Sequence, residues 1–227
     1  NDVTLLECDI RHLTKTRRGE MKGETTGKFD IVVYGATGFT GALVAEYLFQ
    51  SHRDISWAIA GRSQTKLDAI KHQLGAPELA TLVADSDSVE DMTRLAAQSR
   101  VIISTVGPYA RYGTNLLEAC ASEGTHYCDL TGEPQWMAAV FERVSSAAEE
   151  SGARLIHCCG FDSIPSDLGV FVAQKTMMEK HGLYASTVSG RMGQSKGAVS
   201  GGTVASMLLA VEQAVKDPIA RKAMNEP

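Results

Sequence analysis

Short apolar runs alternate along the chain with stretches whose apolar residues recur at helical spacing. FDIVVYG is followed by a stretch carrying Leu43, Val44, Tyr47 and Leu48, and ISWAIAG by one carrying Leu67, Ile70 and Leu74. The rhythm continues through ATLVAD, a helix opened by Ser88 with Asp91 three residues on, VIISTVG, a helix over Asn115 to Ala121, THYCDL, a helix from about Gln135 to Glu150, and ARLIHCCG. Strands that alternate with helices of this length pair in parallel through right-handed crossovers. The pattern therefore predicts an α/β fold, a doubly wound Rossmann-type parallel sheet that begins near Phe29.

The two ends of the chain read differently. Residues 1–27 are polar, mixed in charge and close on KGETTGK, which predicts a flexible N-terminal arm. After Gly160, FDSIPSDLGVFVAQKTMMEK predicts a turn feeding a long helix, with Pro165 in its first turn. A strand-like run, YASTVSGRM, a glycine-rich turn, GAVSGGT, and a helix from about Thr203 to Val215 follow. Val204, Met207, Leu208, Val211 and Val215 form one side of that helix, a stripe that reads as core rather than a cofactor box but is expected to lack its covering layer in this chain, leaving the segment frayed or buried in a partner chain. The expected boundaries are an arm over 1–27, a Rossmann domain over 28–164, and the start of a second α+β domain over 165–227.

Charge and cysteine usage narrow the classes. A formal net charge of -5, with Lys15 to Arg18 (KTRR) the one dense basic run, argues against a nucleic-acid partner. No apolar run approaches the roughly 18 residues that span a bilayer, and the first twenty residues lack the order of a secretory signal. The segment reads as soluble, with no transmembrane segment. Five cysteines, Cys8, Cys120, Cys128, Cys158 and Cys159, are odd in number and contain no CxxC pair, so no metal site or disulfide framework is expected and a reducing, cytoplasmic setting fits. The adjacent Cys158 and Cys159 read as plain strand residues.

The candidate chemistry lies at the first strand's end. IVVYGATGFTGALV sets Gly35, Gly38 and Gly41 between an apolar run and a helical stretch. Glycines at such a turn let a pyrophosphate approach the backbone and sit on the helix N-terminus. The spacing G-x-x-G-x-x-G is a variant of the dinucleotide fingerprint, and its place in the first strand-helix unit points to dinucleotide binding rather than a bare tight turn. NAD-specific sites put a carboxylate at the second strand's end, but here the chain reads AGRS. Arg62 and Ser63 offer the groups that suit a 2′-phosphate, so NADP(H) is the expected cofactor. Asp85, closing ATLVAD, is placed either to accept from the adenine amine or to cap the next helix.

A catalytic apparatus is harder to find. His12, His52, His72, His126, His157 and His181 are scattered, no GxSxG elbow occurs, and no tyrosine has a lysine four residues on. The polar clusters TVGPYARYG, DLTGEP and CGFDSIPSD fall at strand ends, where the ligand crevice of such a sheet lies. Asp129, Glu133 and Asp162 in them are open to catalysis or to capping and loop hydrogen bonds. The catalytic residues are left unknown.

In this order, GATGFTG, AGRS, TVGPYARYG, DLTGE, CGFDSIPSDLG and SGGTVASM resemble the saccharopine dehydrogenase-like oxidoreductases, including the trans-acting enoyl reductases of lipid and polyketide synthesis. The resemblance runs from Phe29 to the end. It implies an NADP-binding Rossmann domain followed by an α+β domain that shapes the substrate site and supports a homodimer. It also implies cofactor contacts from Gly35, Thr37, Gly38, Phe39, Thr40, Gly41, Arg62, Ser63, Val106, Gly107, Pro108 and Tyr109. Saccharopine reductases carry Asp-Pro-Gly-x-Asp-His after the last Rossmann strand, whereas this chain reads DSIPSDL from Asp162, so an enoyl thioester or similar lipid-like acceptor is the expected substrate. Members of the family continue well past the SGGTVASM helix, so the chain is expected to be truncated and to bind NADPH without reducing a substrate by itself. Two classes stay open: an NADPH-dependent oxidoreductase, and an NADP-binding sensor or subunit without turnover.

Overall fold

A computed structural model describes residues 29–52, 54–194 and 201–225. The N-terminal arm, with Cys8 and the Lys15 to Arg18 cluster, lies outside the described residues, as does most of the GAVSGGT turn. Six strands form one parallel sheet: β1 (Phe29–Tyr34), β2 (Trp57–Gly61), β3 (Ala80–Val83), β4 (Ser99–Ser104), β5 (His126–Asp129) and β6 (Leu155–Ile156). Their order is β3-β2-β1-β4-β5-β6. The helices between them are α1 (Phe39–Ser51), α2 (Gln64–Leu74), α3 (Val89–Ala97), the single turn α4 (Tyr109–Tyr112), α5 (Thr114–Glu123) and α6 (Pro134–Ser151). Beyond the sheet come α7 (Ile164–His181), α8 (Gly201–Lys216) and α9 (Pro218–Asn225), which packs on α6.

The order reverses direction between β1 and β4, so crossovers of one hand put the helices of the two halves on opposite faces. Alternation along the central strands builds the two cores. Val33 and Ile59, paired in register, face Ala45 and Leu48 of α1 and Leu67 and Ile70 of α2. Val32, Ala58 and Ile102 face the other way, onto Met92 and Leu95 of α3, Leu116 and Leu117 of α5, and Trp136 and Val140 of α6. The core of α1 is therefore offset from the apolar stripe read in the sequence, because Gly41, Ala45 and Leu48 are buried while Leu43 and Tyr47 are exposed.

Two expectations need correction. The run ARLIHCCG yields a strand of only two residues, because the Cys158 backbone N–H turns to the Asp129 carboxylate (3.2 Å) and that of Cys159 to the Asp129 carbonyl (2.7 Å). Cys158 takes φ 61, a left-handed conformation rare for a residue with a side chain, so the two cysteines lie beyond the strand. The run from Tyr184 to Met192 is not a strand: the Ala185 N–H donates to Gln174 Oε1 (2.8 Å) and the Ala185 carbonyl accepts from Gln174 Nε2 (3.0 Å), so a side-chain amide takes the place of a neighbouring strand. The stripe of Val204, Met207, Leu208, Val211 and Val215 is exposed, without a covering layer among the described residues, as are Leu168, Phe171 and Val172 of α7, a helix with no buried residue. No helix among the described residues is long and apolar enough to cross a membrane.

The Ser88 cap read from the sequence is present: its hydroxyl accepts from the Asp91 N–H at 3.1 Å and satisfies one of the free donors at the start of α3. Ser88→Ala is expected to cost about 1 kcal/mol and, for a domain of this size, to lower the thermal midpoint by roughly 2 to 4 °C. A melt with an unchanged midpoint would show that the cap adds nothing.

Candidate functional site

The residues singled out in the sequence converge on the carboxyl edge of the sheet. Gly35 to Gly41 follow β1, Arg62 and Ser63 follow β2, Asp85 follows β3, and Val106 to Tyr109 follow β4. At the centre, β1 and β4 are joined past their last ladder pair: the Thr105 N–H and its hydroxyl both donate to the Tyr34 carbonyl, at 2.9 and 3.1 Å. That junction sets what the glycine turn must be. Gly35 has φ 90, and a Cβ on it would stand 2.7 Å from both Thr105 Oγ1 and Val106 Cγ2. A Cβ on Gly41 would stand 2.2 Å from the Gly35 oxygen, so α1 can lie against the turn only without a side chain there.

Gly38 differs from both. Its φ is -87, and a Cβ would meet a single neighbour, the Gly35 oxygen at 3.4 Å. The space in front of it is open, Thr37, Gly38 and Phe39 are exposed, and the first turn of α1 has neither a side-chain cap nor an acidic residue. The unsatisfied N–H groups and the positive end of the helix dipole thus face solvent together. A pyrophosphate fits this place: it is the one anion of the expected cofactor that needs backbone donors and close approach, and both are present.

At the end of β2, Ser63 is the N-cap of α2, accepting from the Lys66 N–H at 3.4 Å, and Arg62 is exposed with its guanidinium carbon 6.0 Å from the centre of the Tyr112 ring. Asp85 shapes its own turn: its Oδ1 accepts from the Asp87 N–H at 3.1 Å, and its N–H donates to Asp91 Oδ2 at 2.9 Å. The alternative left open for Asp85 is therefore answered in part, since Ser88 caps α3. Nearby Tyr34 is buried, and that burial pushes its hydroxyl up to about 12.

After β4 the chain makes a cis peptide at Gly107–Pro108 and enters α4. Val106, Gly107 and Pro108 are half-buried beside the crevice. Tyr109 is 4% exposed, its ring stacked on Trp136 with centroids 5.6 Å apart and its hydroxyl donating to the Ser104 carbonyl at 3.0 Å. Its side chain packs in the core, and the residue also lines the cavity beside Gly107.

Two acidic residues read as open between catalysis and structure are loop clamps. Glu133, 3% exposed, accepts from the N–H groups of Tyr109 (2.9 Å) and Ala110 (2.8 Å) and from the Ser206 hydroxyl (2.8 Å). It fixes the turn after β4 and ties it to α8. Asp129, also buried, accepts from Tyr127 Oη (2.9 Å) and from the Thr131 N–H (3.1 Å), and its Oδ2 lies 2.7 Å from His157 Nδ1. Nothing local in the sequence signals the Glu133 clamp, because its partners lie 24, 23 and 73 residues away, and the Asp129 clamp pairs two local donors with His157, 28 residues on. The third, Asp162, is exposed on the rim of a cavity of about 250 Å³. Thr40, Thr105, Gly107 and Glu133 line this cavity from the sheet side, and Thr203 and Ser206 from α8.

None of the four described cysteines lines this cavity. Cys120, Cys128, Cys158 and Cys159 are all free thiols. Burial pushes the Cys128 thiol up to about 12, and burial followed by the Asp129 carboxylate raises those of Cys158 and Cys159. Thiols held neutral in this way are poor nucleophiles at neutral pH.

The two glycines predict opposite outcomes. Gly38→Val is expected to abolish dinucleotide binding, measured by nucleotide fluorescence, while the thermal midpoint stays within a few degrees. Gly41→Ala is expected to destabilise the fold by about 1 to 3 kcal/mol through overpacking. Wild-type binding by Gly38→Val would reduce the turn to a structural feature.

Comparison with known proteins agrees with this geometry. A family model described as the saccharopine dehydrogenase NADP binding domain matches residues 31–156. A Mycobacterium tuberculosis protein named as a candidate trans-acting enoyl reductase is 42% identical over 205 residues, which cover 89% of this chain and 49% of that protein. A Mycobacterium bovis protein named trans-acting enoyl reductase is 40% identical over 203 residues, covering 88% and 49%. The chain thus spans about half the length of the curated relatives it matches. In fold it is similar to apo saccharopine dehydrogenase (L-Glu forming) from Saccharomyces cerevisiae, with a TM-score of 0.52 and 18% identity over 67% of this chain and 31% of that one. From β1 to β6 the match covers more than half the chain, and the protein belongs to the saccharopine dehydrogenase NADP-binding-domain family.

Proposed function

We propose that this chain is the cofactor-binding part of an NADPH-dependent oxidoreductase that reduces an enoyl or similar lipid-like substrate. The observation that carries the reading is the open Gly38 turn at the β1–β4 junction, where backbone donors and the α1 dipole face one space. The names of the mycobacterial relatives support the enoyl acceptor. Bound NADPH would supply the hydride. The chain's own part is to hold and orient: the first turn of α1 takes the pyrophosphate, Arg62 and Ser63 take the 2′-phosphate, and the Glu133 clamp fixes the turn at Gly107 beside the cavity. The cavity under α8 then receives the acceptor's reacting end, with Asp162 on its rim. Residues 165–227 begin the domain that shapes this site and supports a homodimer, and the free thiols suit a cytoplasmic setting.

Fluorescence titration with NADPH and NADH tests the cofactor reading. NADPH oxidation with enoyl thioesters of increasing chain length tests the reaction, on this chain and on one continued to the length of its relatives. Tight NADPH binding with no substrate-dependent oxidation by either would favour the sensor or subunit. Arg62→Ala is expected to weaken NADPH binding by roughly 10- to 150-fold, the loss of one charge-assisted hydrogen bond, and to leave NADH binding nearly unchanged. Equal losses for both nucleotides would assign Arg62 to the fold.

A further inference from the structure

Arg62 does not stand alone at the end of β2. Tyr112, in α4, has a second guanidinium over its ring, that of Arg111 at 5.3 Å from the centroid, beside Arg62 at 6.0 Å. The two cations come from the loops after β2 and β4, strands that flank β1, and lie no farther apart than those two distances together. Both side chains are exposed and the ring is half-buried. Among the described residues neither arginine forms an ion pair, whereas Arg94, Arg100 and Arg143 meet Asp91, Asp30 and Glu118. The carboxylate of Asp85, which comes from the neighbouring loop after β3, is engaged with its own turn. That loop is anchored in turn to α5, where Asn115 Nδ2 donates to the Ser86 carbonyl at 2.8 Å.

Two like charges held near one ring repel each other, and the attraction of each for the π face offsets part of that repulsion. An anion between them removes the rest. A phosphate monoester carries close to two negative charges at neutral pH and three acceptor oxygens, more than one guanidinium can match. The end of β2 is also where the 2′-phosphate of NADP would lie. We infer that Arg111 is the second cation of the 2′-phosphate subsite, positioned with Arg62 by Tyr112, and that the pair sets the preference for NADPH over NADH. This inference rests on the cofactor reading above and adds a specificity determinant to it.

The experiment measures the NADPH and NADH dissociation constants of the wild type, Arg62→Ala, Arg111→Ala, Tyr112→Leu and Tyr112→Phe. Competition by adenosine 2′,5′-bisphosphate and by AMP isolates the ribose phosphate. Arg111→Ala is expected to weaken NADPH and the bisphosphate tenfold or more and to change NADH and AMP by less than twofold. Tyr112→Leu is expected to lower the NADPH to NADH ratio severalfold, and Tyr112→Phe, which keeps the ring, to preserve it. If Arg62→Ala lowers the ratio and Arg111→Ala does not, the inference is overturned and the cofactor reading stands. If Arg111→Ala weakens both nucleotides equally, Arg111 is structural and the inference also falls. If Arg62→Ala leaves the ratio unchanged, the placement of the 2′-phosphate at β2 falls, and the paired site with it.

Discussion

Where α1 leaves the sheet, the Cα of Gly41 lies so close to the Gly35 carbonyl that no side chain fits between them. The turn, the entry of α1 and the space in front of Gly38 all follow from that approach. It is set in turn by Thr105, whose two hydrogen bonds to the Tyr34 carbonyl keep β4 against β1 beyond the last ladder pair. A parallel sheet whose order reverses at this point opens a crevice between the two loops, and the helix dipole is aimed into it. The electrostatics of the site thus derive from backbone placement before any charged side chain is added.

The acidic side chains of the neighbouring loops do a different job. Glu133 and Asp129 are buried, and each is held by several donors from separate segments. A buried carboxylate is tolerable only when so paired, and its donors become fixed in exchange. Glu133 thereby gives the chain after β4 a defined path. This suits a protein in which a bound cofactor supplies the reactive atoms and the polypeptide supplies geometry.

Much of this was legible in the sequence. The strand-helix alternation, the Ser88 cap with Asp91, the glycine turn and the arginine in place of a carboxylate after β2 are local signals, and each appears where the pattern put it. The turns that depend on distant partners were not legible. The run ARLIHCCG has strand composition, yet Asp129 draws Cys158 and Cys159 out of the ladder. The run from Tyr184 to Met192 has strand composition too, but β structure needs a neighbouring strand, and Ala185 pairs with Gln174. Leu43 and Tyr47 extend the apolar pattern of α1 onto a face that none of the described residues covers. Arg111 and Tyr112 were visible as letters, but only the sheet order brings them to Arg62.

The bonds of Asp129 also bear on where this chain can be cut. Donors to its carboxylate or carbonyl come from β5, from the loop after it, and from His157 to Cys159, past the last strand. A fragment that stopped at the end of β6 would keep every strand of the sheet and yet strand a buried negative charge without half its donors. A fragment that keeps all of these donors extends through Cys159, three residues past the end of β6.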